Sequence, residues 1–222
     1  NLASIEIPNS VTSIADYTFE YCSSLANIVI GNSVKSIGNY AFQYCSNLAS
    51  IEIPNSVTSI ESYAFESCSN LANIVIGNSV KSIAIGAFYG CSKLAIIEIP
   101  NSVTSIGDSA FNSCPNLKEI NVDQMNSYYS SEDHVLYSKS KSILIKYPPK
   151  KESTDYKIPS DVTSIGWCAF ESCSNLASIE IPSSVKSIET NSFYGCSSLE
   201  SFTVKDGNLN YQTQNGILFS KD

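Results

Sequence analysis

Charge is scarce in this sequence. Asp, Glu, Lys and Arg together make up 15% of its 222 residues, so a folded surface has to be built mainly from Ser, Asn and Thr. The 13 basic residues form no cluster, and the net charge is −8 with a pI near 4.7. Nucleic-acid binding is thereby excluded as an expectation, because neutralising phosphates dominates that affinity. No apolar run approaches the ~18 residues of a membrane helix, so no membrane insertion is expected in this segment. There is no signal-like apolar stretch, and the first residue is Asn1 rather than Met, which leads us to expect a piece of a longer chain. Histidine occurs once. Apolar residues make up 43%, enough for a sizeable core and too many for a disordered chain.

What is abundant is repetition. Cysteines stand at 22, 45, 68, 91 and 114, each 23 residues apart, and return at 173 and 196. Phenylalanines keep the same interval at 19, 42, 65, 88, 111, 170 and 193. A longer period of 46 lies over this: residues 1–46 and 47–92 differ at only ten positions. Units of Ile-Glu-Ile-Pro type (Ile5 to Pro8, Ile51 to Pro54) alternate with units of Ile-Val-Ile-Gly type (Ile28 to Gly31, Ile74 to Gly77). Fixed periods of this length signal a stacked repeat architecture.

One unit can be read physically. Leu25-x-x-Ile28-x-Ile30 has the spacing of a strand with one buried face. Pro8 or Gly31 ends it, since Pro lacks the ladder donor and Gly permits a turn. Val34 and Ile37 make a second short extended segment. Tyr40-Ala41-Phe42-x-x-Cys45 is too short for a full helix and reads as one helical or 3₁₀ turn that drops Ala, Phe and Cys inward. A lone unit cannot bury enough apolar surface to offset the entropy of ordering its backbone, so each must stack on its neighbours.

The pattern Leu-x-x-Ile-x-Ile-Pro-x-x-Val-x-x-Ile-x-x-x-Ala-Phe-x-x-Cys resembles the BspA-type leucine-rich repeat. It covers about residues 1–122 and 153–204. The resemblance implies a right-handed solenoid carrying a strand, a short extended segment and one helical or 3₁₀ turn per repeat. It also implies secreted or cell-surface proteins of host-associated microbes, associated with adhesion and protein binding.

The register breaks once. Cys114 to Cys173 is 59 residues, 36 more than one repeat. Within the break, Val135-Leu-Tyr-Ser and Ile143-Leu-Ile-Lys-Tyr flank Lys139-Ser-Lys-Ser, which reads as a β-hairpin insert at about 123–152. Thr154 to Pro159 reads as an extra rung strand. Asn126, Tyr129, Val135 and Leu136 match Asn208, Tyr211, Ile217 and Leu218 at an offset of 82, so a second insert starts at 205–222. The whole chain, 1–222, is expected to be a single solenoid domain.

Candidate chemistry is thin. The seven column cysteines stack with parallel Cβ directions, unlike the converging pair a disulfide needs, so reduced thiols are expected. No paired Cys spacing suits zinc. Cys168 falls in the column of Tyr40, expected to be exposed. His134, with Asp133 beside it, aligns with Gly216 and so occupies a turn position, a poor place for a catalytic base. The Ser13, Ser36, Ser59, Ser82, Ser105, Ser164 and Ser187 column recurs too often to be a nucleophile and is expected to bond backbone between rungs. The Asn9, Asn32, Asn55, Asn78 and Asn101 column reads as a turn ladder. No catalytic, cofactor-binding or metal-binding residue is assigned, and the chain is not expected to be an enzyme.

The outward strand positions are expected to form a concave face of nine strands. It carries Ser4/Glu6, Asn27/Val29, Ser50/Glu52, Asn73/Val75, Ile96/Glu98, Glu119/Asn121, Asp155/Lys157, Ser178/Glu180 and Ser201/Thr203. Candidate partner contacts are Glu6, Asn27, Val29, Glu52, Asn73, Val75, Ile96, Glu98, Glu119 and Glu180. Tyr17, Tyr40 and Tyr63 form a rival flank. The expected function is a surface recognition scaffold for a protein, with a structural spacer or a glycan-binding surface as alternatives.

Overall fold

The structure is a computed structural model describing residues 2–221. The chain divides into two compact units, Asn1–Tyr128 and Tyr129–Asp222. Each is a stack of repeat rungs, so the fold is the leucine-rich-repeat β-solenoid expected from the register.

In the first unit, four-residue strands β1 (Ser4–Ile7), β3 (Asn27–Ile30), β5 (Ser50–Ile53), β7 (Asn73–Ile76), β9 (Ile96–Ile99) and β11 (Glu119–Val122) alternate with two-residue strands. The short ones are β2 (Ser13–Ile14), β4 (Ser36–Ile37), β6 (Ser59–Ile60), β8 (Ser82–Ile83) and β10 (Ser105–Ile106). The short strands form one continuous parallel sheet, β10-β8-β6-β4-β2. Between them run columns of Leu, Ile, Val, Ala, Phe and Cys with almost no exposure, such as Leu48, Val57, Ile60, Phe65 and Cys68, all at 0%.

The long strands behave differently. They pair in register as β1–β3, β5–β7 and β9–β11, and among the described residues no ladder joins β3 to β5 or β7 to β9. The 46-residue period is therefore a structural block of two rungs. Gly31 and Gly77 sit tightly in two of the closed junctions, where a Cβ would lie 2.6 Å from a carbonyl oxygen of the preceding Pro rung, Ile7 O or Pro54 O; Asp123 holds the same position in the third, its N–H on Ile99 O at 3.0 Å. Pro54 and Pro100, following Gly rungs, have no N–H to offer the ladder.

Side chains divide the same way. At the closed junctions Asn9 Oδ1 accepts from the Asn32 N–H and Asn55 Oδ1 from the Asn78 N–H, each at 2.7 Å. At the open junctions hydroxyls bridge instead: Ser56 Oγ donates to Val34 O at 2.6 Å and Ser102 Oγ to Val80 O at 2.7 Å.

The expected helical or 3₁₀ turn is corrected by the structure. No helix of any kind occurs among the described residues. The segment from Asp16 to Cys22 is a run of turns in which alternate N–H groups point in different directions. Those of Glu20 and Cys22 donate three residues back, to Tyr17 O and Phe19 O. Those of Tyr17, Phe19 and Tyr21 donate across to Asn39, Ala41 and Gln43 of the next rung at 2.8–2.9 Å. Left-handed φ at Tyr17 (60°) and Tyr21 (57°) breaks the helical run and frees those donors for the neighbour.

In the second unit, β12 (Tyr129–Glu132), β13 (Val135–Ser138) and β14 (Ile143–Lys146) are joined antiparallel, and β14 then runs parallel to β16 (Ser164–Ile165) and β16 to β18 (Ser187–Ile188). A second sheet stacks β15 (Asp155–Lys157), β17 (Ser178–Ile181) and β19 (Ser201–Val204), and a hairpin joins β20 (Tyr211–Gln214) to β21 (Ile217–Ser220). The β13–β14 hairpin was legible, whereas β12 was not. The insert is also more than a hairpin. β14 pairs with the two-residue strand β16 of its own unit, and Tyr147 takes the place of the repeat Phe, 5.2 Å from Phe170, with its N–H on Ala169 O at 2.8 Å. Residues 143–147 are thus a divergent rung.

Candidate functional site

In β3, β5, β7 and β9 exposed and buried residues alternate, in the pattern the sequence implies. In the first unit Glu6, Asn27, Glu52, Asn73 and Glu98 are exposed, Val29 and Val75 are each 60% exposed, Ile96 44%, and Glu119 partly so. Exposed acids at Glu6, Glu52 and Glu98 stand in register with, and alternate with, the apolar Val29 and Val75. No Lys is ion-paired to these three glutamates among the described residues; Glu98 accepts only from the Asn121 amide, at 2.9 Å. The unit carries ten carboxylates against four lysines, so its field is negative.

Shallow clefts run along the ends of the long strands, two of them at the open junctions. At the β3/β5 junction Val29, Ile30, Asn32, Glu52 and Pro54 line a cleft of about 280 Å³. At the β7/β9 junction the equivalent Ile76, Asn78, Glu98 and Pro100, joined by Val122 and Met125, line one of about 520 Å³. Between them a cleft of about 650 Å³ links Asn32, Glu52, Pro54, Val75 and Asn78. Sequence reasoning found the strand positions but missed the clefts and the Asn32 and Asn78 side chains, although the Pro/Gly alternation carried the signal.

The second unit's outward acids are engaged internally. Glu180 pairs with Lys205 at 3.3 Å. Asp155 accepts from Ser178 Oγ at 2.5 Å and from Thr154 Oγ1 at 2.9 Å, and these bonds hold its carboxyl below the usual range.

The rival flank is ordered in an unusual way. Tyr17, Tyr40 and Tyr63 stack at 5.1 and 5.2 Å, and Tyr21 on Tyr44 at 4.8 Å, with ring planes within 8°. All five have left-handed φ between 55° and 60°, at positions that later rungs fill with Gly86, Gly90, Ser109 or Asn191. Such a φ is costly for a side chain of this size. The inner ring faces cover one another, so the middle of the flank presents edges and hydroxyls.

The remaining candidates resolve into structure. All eight cysteines are free thiols. Cys45, Cys68, Cys91 and Cys114 each donate from Sγ to the carbonyl of a Phe one rung back, at 3.1–3.2 Å. Burial pushes the Cys45 thiol up to about 12 and those of Cys68 and Cys91 well above the ordinary value. Cys168 is buried at 5%, not exposed as its column suggested. Lys146 reaches over it, donating to Cys168 O at 3.0 Å and pairing with Glu171 Oε2 at 3.3 Å. Asp133 and His134, with φ of 50° and 65°, form the two-residue turn between β12 and β13, as Asn215 and Gly216 do between β20 and β21. Buried Asn126 brackets the end of its rung, donating from Nδ2 to Pro100 O and Val103 O at 2.9 Å each. No group of three or more His, Cys, Asp or Glu suits a metal among the described residues, and no helix is long and apolar enough to cross a membrane.

Parallel stacked rungs, an internal Phe/Cys spine and an exposed, variable strand face define a leucine-rich-repeat protein, a class whose solenoids are typically non-catalytic binding scaffolds. The model of the BspA type leucine rich repeat region matches residues 1–118, 69–154 and 150–220, so the chain belongs to that family. Among solved structures it is similar to a leucine-rich cell surface protein from Faecalibacterium prausnitzii, at 35% identity and TM-score 0.76, covering 90% of this chain and 60% of that one. It is also similar to the pneumococcal vaccine antigen PcpA, at 30% identity and TM-score 0.87, covering 90% of this chain and 50% of the other. A leucine-rich repeat protein from Bacteroides ovatus is 28% identical, with TM-score 0.63 and coverage of 90% and 54%. The chain thus spans about half to three fifths of these proteins. No curated protein matches it.

Proposed function

We propose that this chain is the recognition segment of a cell-surface or secreted adhesion protein, and that it binds a protein partner through the outward face of the long strands in the first unit. The observation that carries this reading is the row Glu6, Val29, Glu52, Val75, Glu98: exposed acids without cationic partners alternate with exposed aliphatic side chains on hydrogen-bonded strands. A similar protein described as a cell surface protein supports the location. Affinity would come from surface complementarity, with a basic and partly apolar partner favoured by the field of the acids. Glu180, the one glutamate on the second unit's face, is already paired with Lys205, so the face there contributes less.

The glycan alternative lacks support on the tyrosine flank. Sugars stack on open aromatic faces; Tyr40 has both faces covered by Tyr17 and Tyr63, and Tyr17 has one covered. To test the reading, extracellular proteins are captured on the immobilised chain and the captured partner is titrated against two variants. Replacing Glu52, Val75 and Glu98 together should weaken binding at least about tenfold, or 1.4 kcal/mol. If that variant binds normally and a Tyr17, Tyr40 and Tyr63 replacement does not, the flank is the site.

A further inference from the structure

The first unit carries a second exposed row, on the short-strand side of its rungs. Thr12, Lys35, Thr58, Lys81 and Thr104 stand just before the two-residue strands β2, β4, β6, β8 and β10, and all five are exposed. Their backbones form an unbroken ladder. The N–H of Lys35 donates to Thr12 O, that of Thr58 to Lys35 O, that of Lys81 to Thr58 O and that of Thr104 to Lys81 O, each at 2.8 Å. Thr58 and Thr104 also donate their hydroxyls to Lys35 O and Lys81 O, at 3.1 and 3.2 Å. With the hydroxyl proton engaged by backbone, the methyl group is what such a side chain has left for a partner. Among the described residues neither Lys35 nor Lys81 is ion-paired. This row is the counterpart of the strand face: bases alternate with methyl-bearing rungs here, acids with valines there.

We infer that the strand face takes a second copy of this chain, whose Lys35 and Lys81 dock on Glu52 and Glu98, a conclusion that rests on the strand face being the binding surface. With the two stacks parallel and displaced by one rung, Glu52 meets Lys35 and Glu98 meets Lys81. Val29 and Val75, each 60% exposed, then meet the Thr12 and Thr58 rungs. Both rows belong to the same stack and repeat every 46 residues, so they agree in rung count whatever the rung spacing. Only one such interval has to match, and the flexible four-carbon lysine stems take up a difference between the two sides of the stack. The copies are acidic overall, but at physiological salt that repulsion is screened beyond about 8 Å, whereas pairs in contact are not. Buried side chains, Ile28 and Ile30 from the long strands and Val34 and Ile37 from the short side, separate the two rows. One copy therefore turns different surfaces to its two neighbours, a heterologous contact that adds chains side by side without closing. Exposed ion pairs are individually weak, so the contact is weak between free chains and gains from repetition among chains crowded at a surface.

The test is a charge reversal read by sedimentation velocity on the whole chain at physiological salt. The native chain should show a weight-average sedimentation coefficient that climbs with concentration and reaches no closed end state. Two double variants are compared with it, Glu52→Lys/Glu98→Lys and Lys35→Glu/Lys81→Glu. All four side chains are exposed, so circular dichroism and melting should be unchanged. Each variant alone presents like charges on both rows, and its self-affinity should fall at least about tenfold. Mixed in equal amounts, the two offer lysines to glutamates again and should associate as the native chain does. Association that survives in either separate variant would place the contact elsewhere and overturn the inference. A mixture that stays monomeric would overturn the pairing of Lys with Glu. If the native chain is monomeric at every concentration while a captured foreign partner still depends on Glu52, Val75 and Glu98, the second copy is the wrong occupant and the face assignment stands.

Discussion

Tyr40 sits at φ 55° with its ring between those of Tyr17 and Tyr63, so a single residue combines a backbone cost with a stacking gain. Replacing it by Ala removes the stacking and keeps the left-handed strain, whereas Gly removes both. Tyr40→Gly should therefore be less destabilising than Tyr40→Ala by about 1 kcal/mol in urea unfolding; the reverse order would show that the left-handed backbone is not what the position costs. The thiol column makes a second residue-scale prediction. A folded pKa raised above the unfolded one, here from 9.0 to about 12 at Cys45, leaves stability intact below pH 9 and removes it as pH rises toward the folded value. Unfolding midpoints should fall between pH 9 and 11, and fall less in a Cys45→Ala/Cys68→Ala/Cys91→Ala variant. Equal slopes would mean the thiols do not carry the effect. At this scale the core was legible because Leu, Ile, Val, Phe and Cys repeat without variation. The left-handed tyrosines were not, since nothing local in Tyr-Ala-Phe distinguishes them from a helical turn. Cys168 was misplaced because the lysine that covers it comes from the insert.

Among the elements, the two-rung block is the main result. Gly31 and Gly77 lie close against the preceding rung where β1 pairs with β3 and β5 with β7, and Pro54 and Pro100 follow the strands at the two open junctions. Gly31→Ala places a methyl group 2.6 Å from Ile7 O and should cost roughly 1–3 kcal/mol as overpacking. It should also raise amide exchange across the β1–β3 ladder while leaving β5–β7 protected. Unchanged stability would refute the account of the closed junction. The 46-residue period and its Pro/Gly alternation were visible in the sequence; the unequal pairing of the strands was not drawn from them, because it depends on how neighbouring rungs stack. The insert was half legible for a similar reason. The alternation in Ile143 to Lys146 announced a strand, but its parallel pairing with β16 and the substitution of Tyr147 for Phe depend on neighbours distant in sequence.

For the molecule as a whole, the exposed strand face and the family were readable from the repeat, whereas the clefts required the uneven junctions to be seen. The central claim is that a partner is recognised on the first unit's strand face. Hydrogen exchange of the chain, free and saturated with its captured partner, tests this most directly. Slowed exchange confined to β3, β5, β7, β9 and the residues that follow them, Asn32 and Asn78 included, is the predicted result. Protection centred instead on the tyrosine turns at residues 16–21, 39–44 and 62–67, with the long strands unchanged, would contradict it.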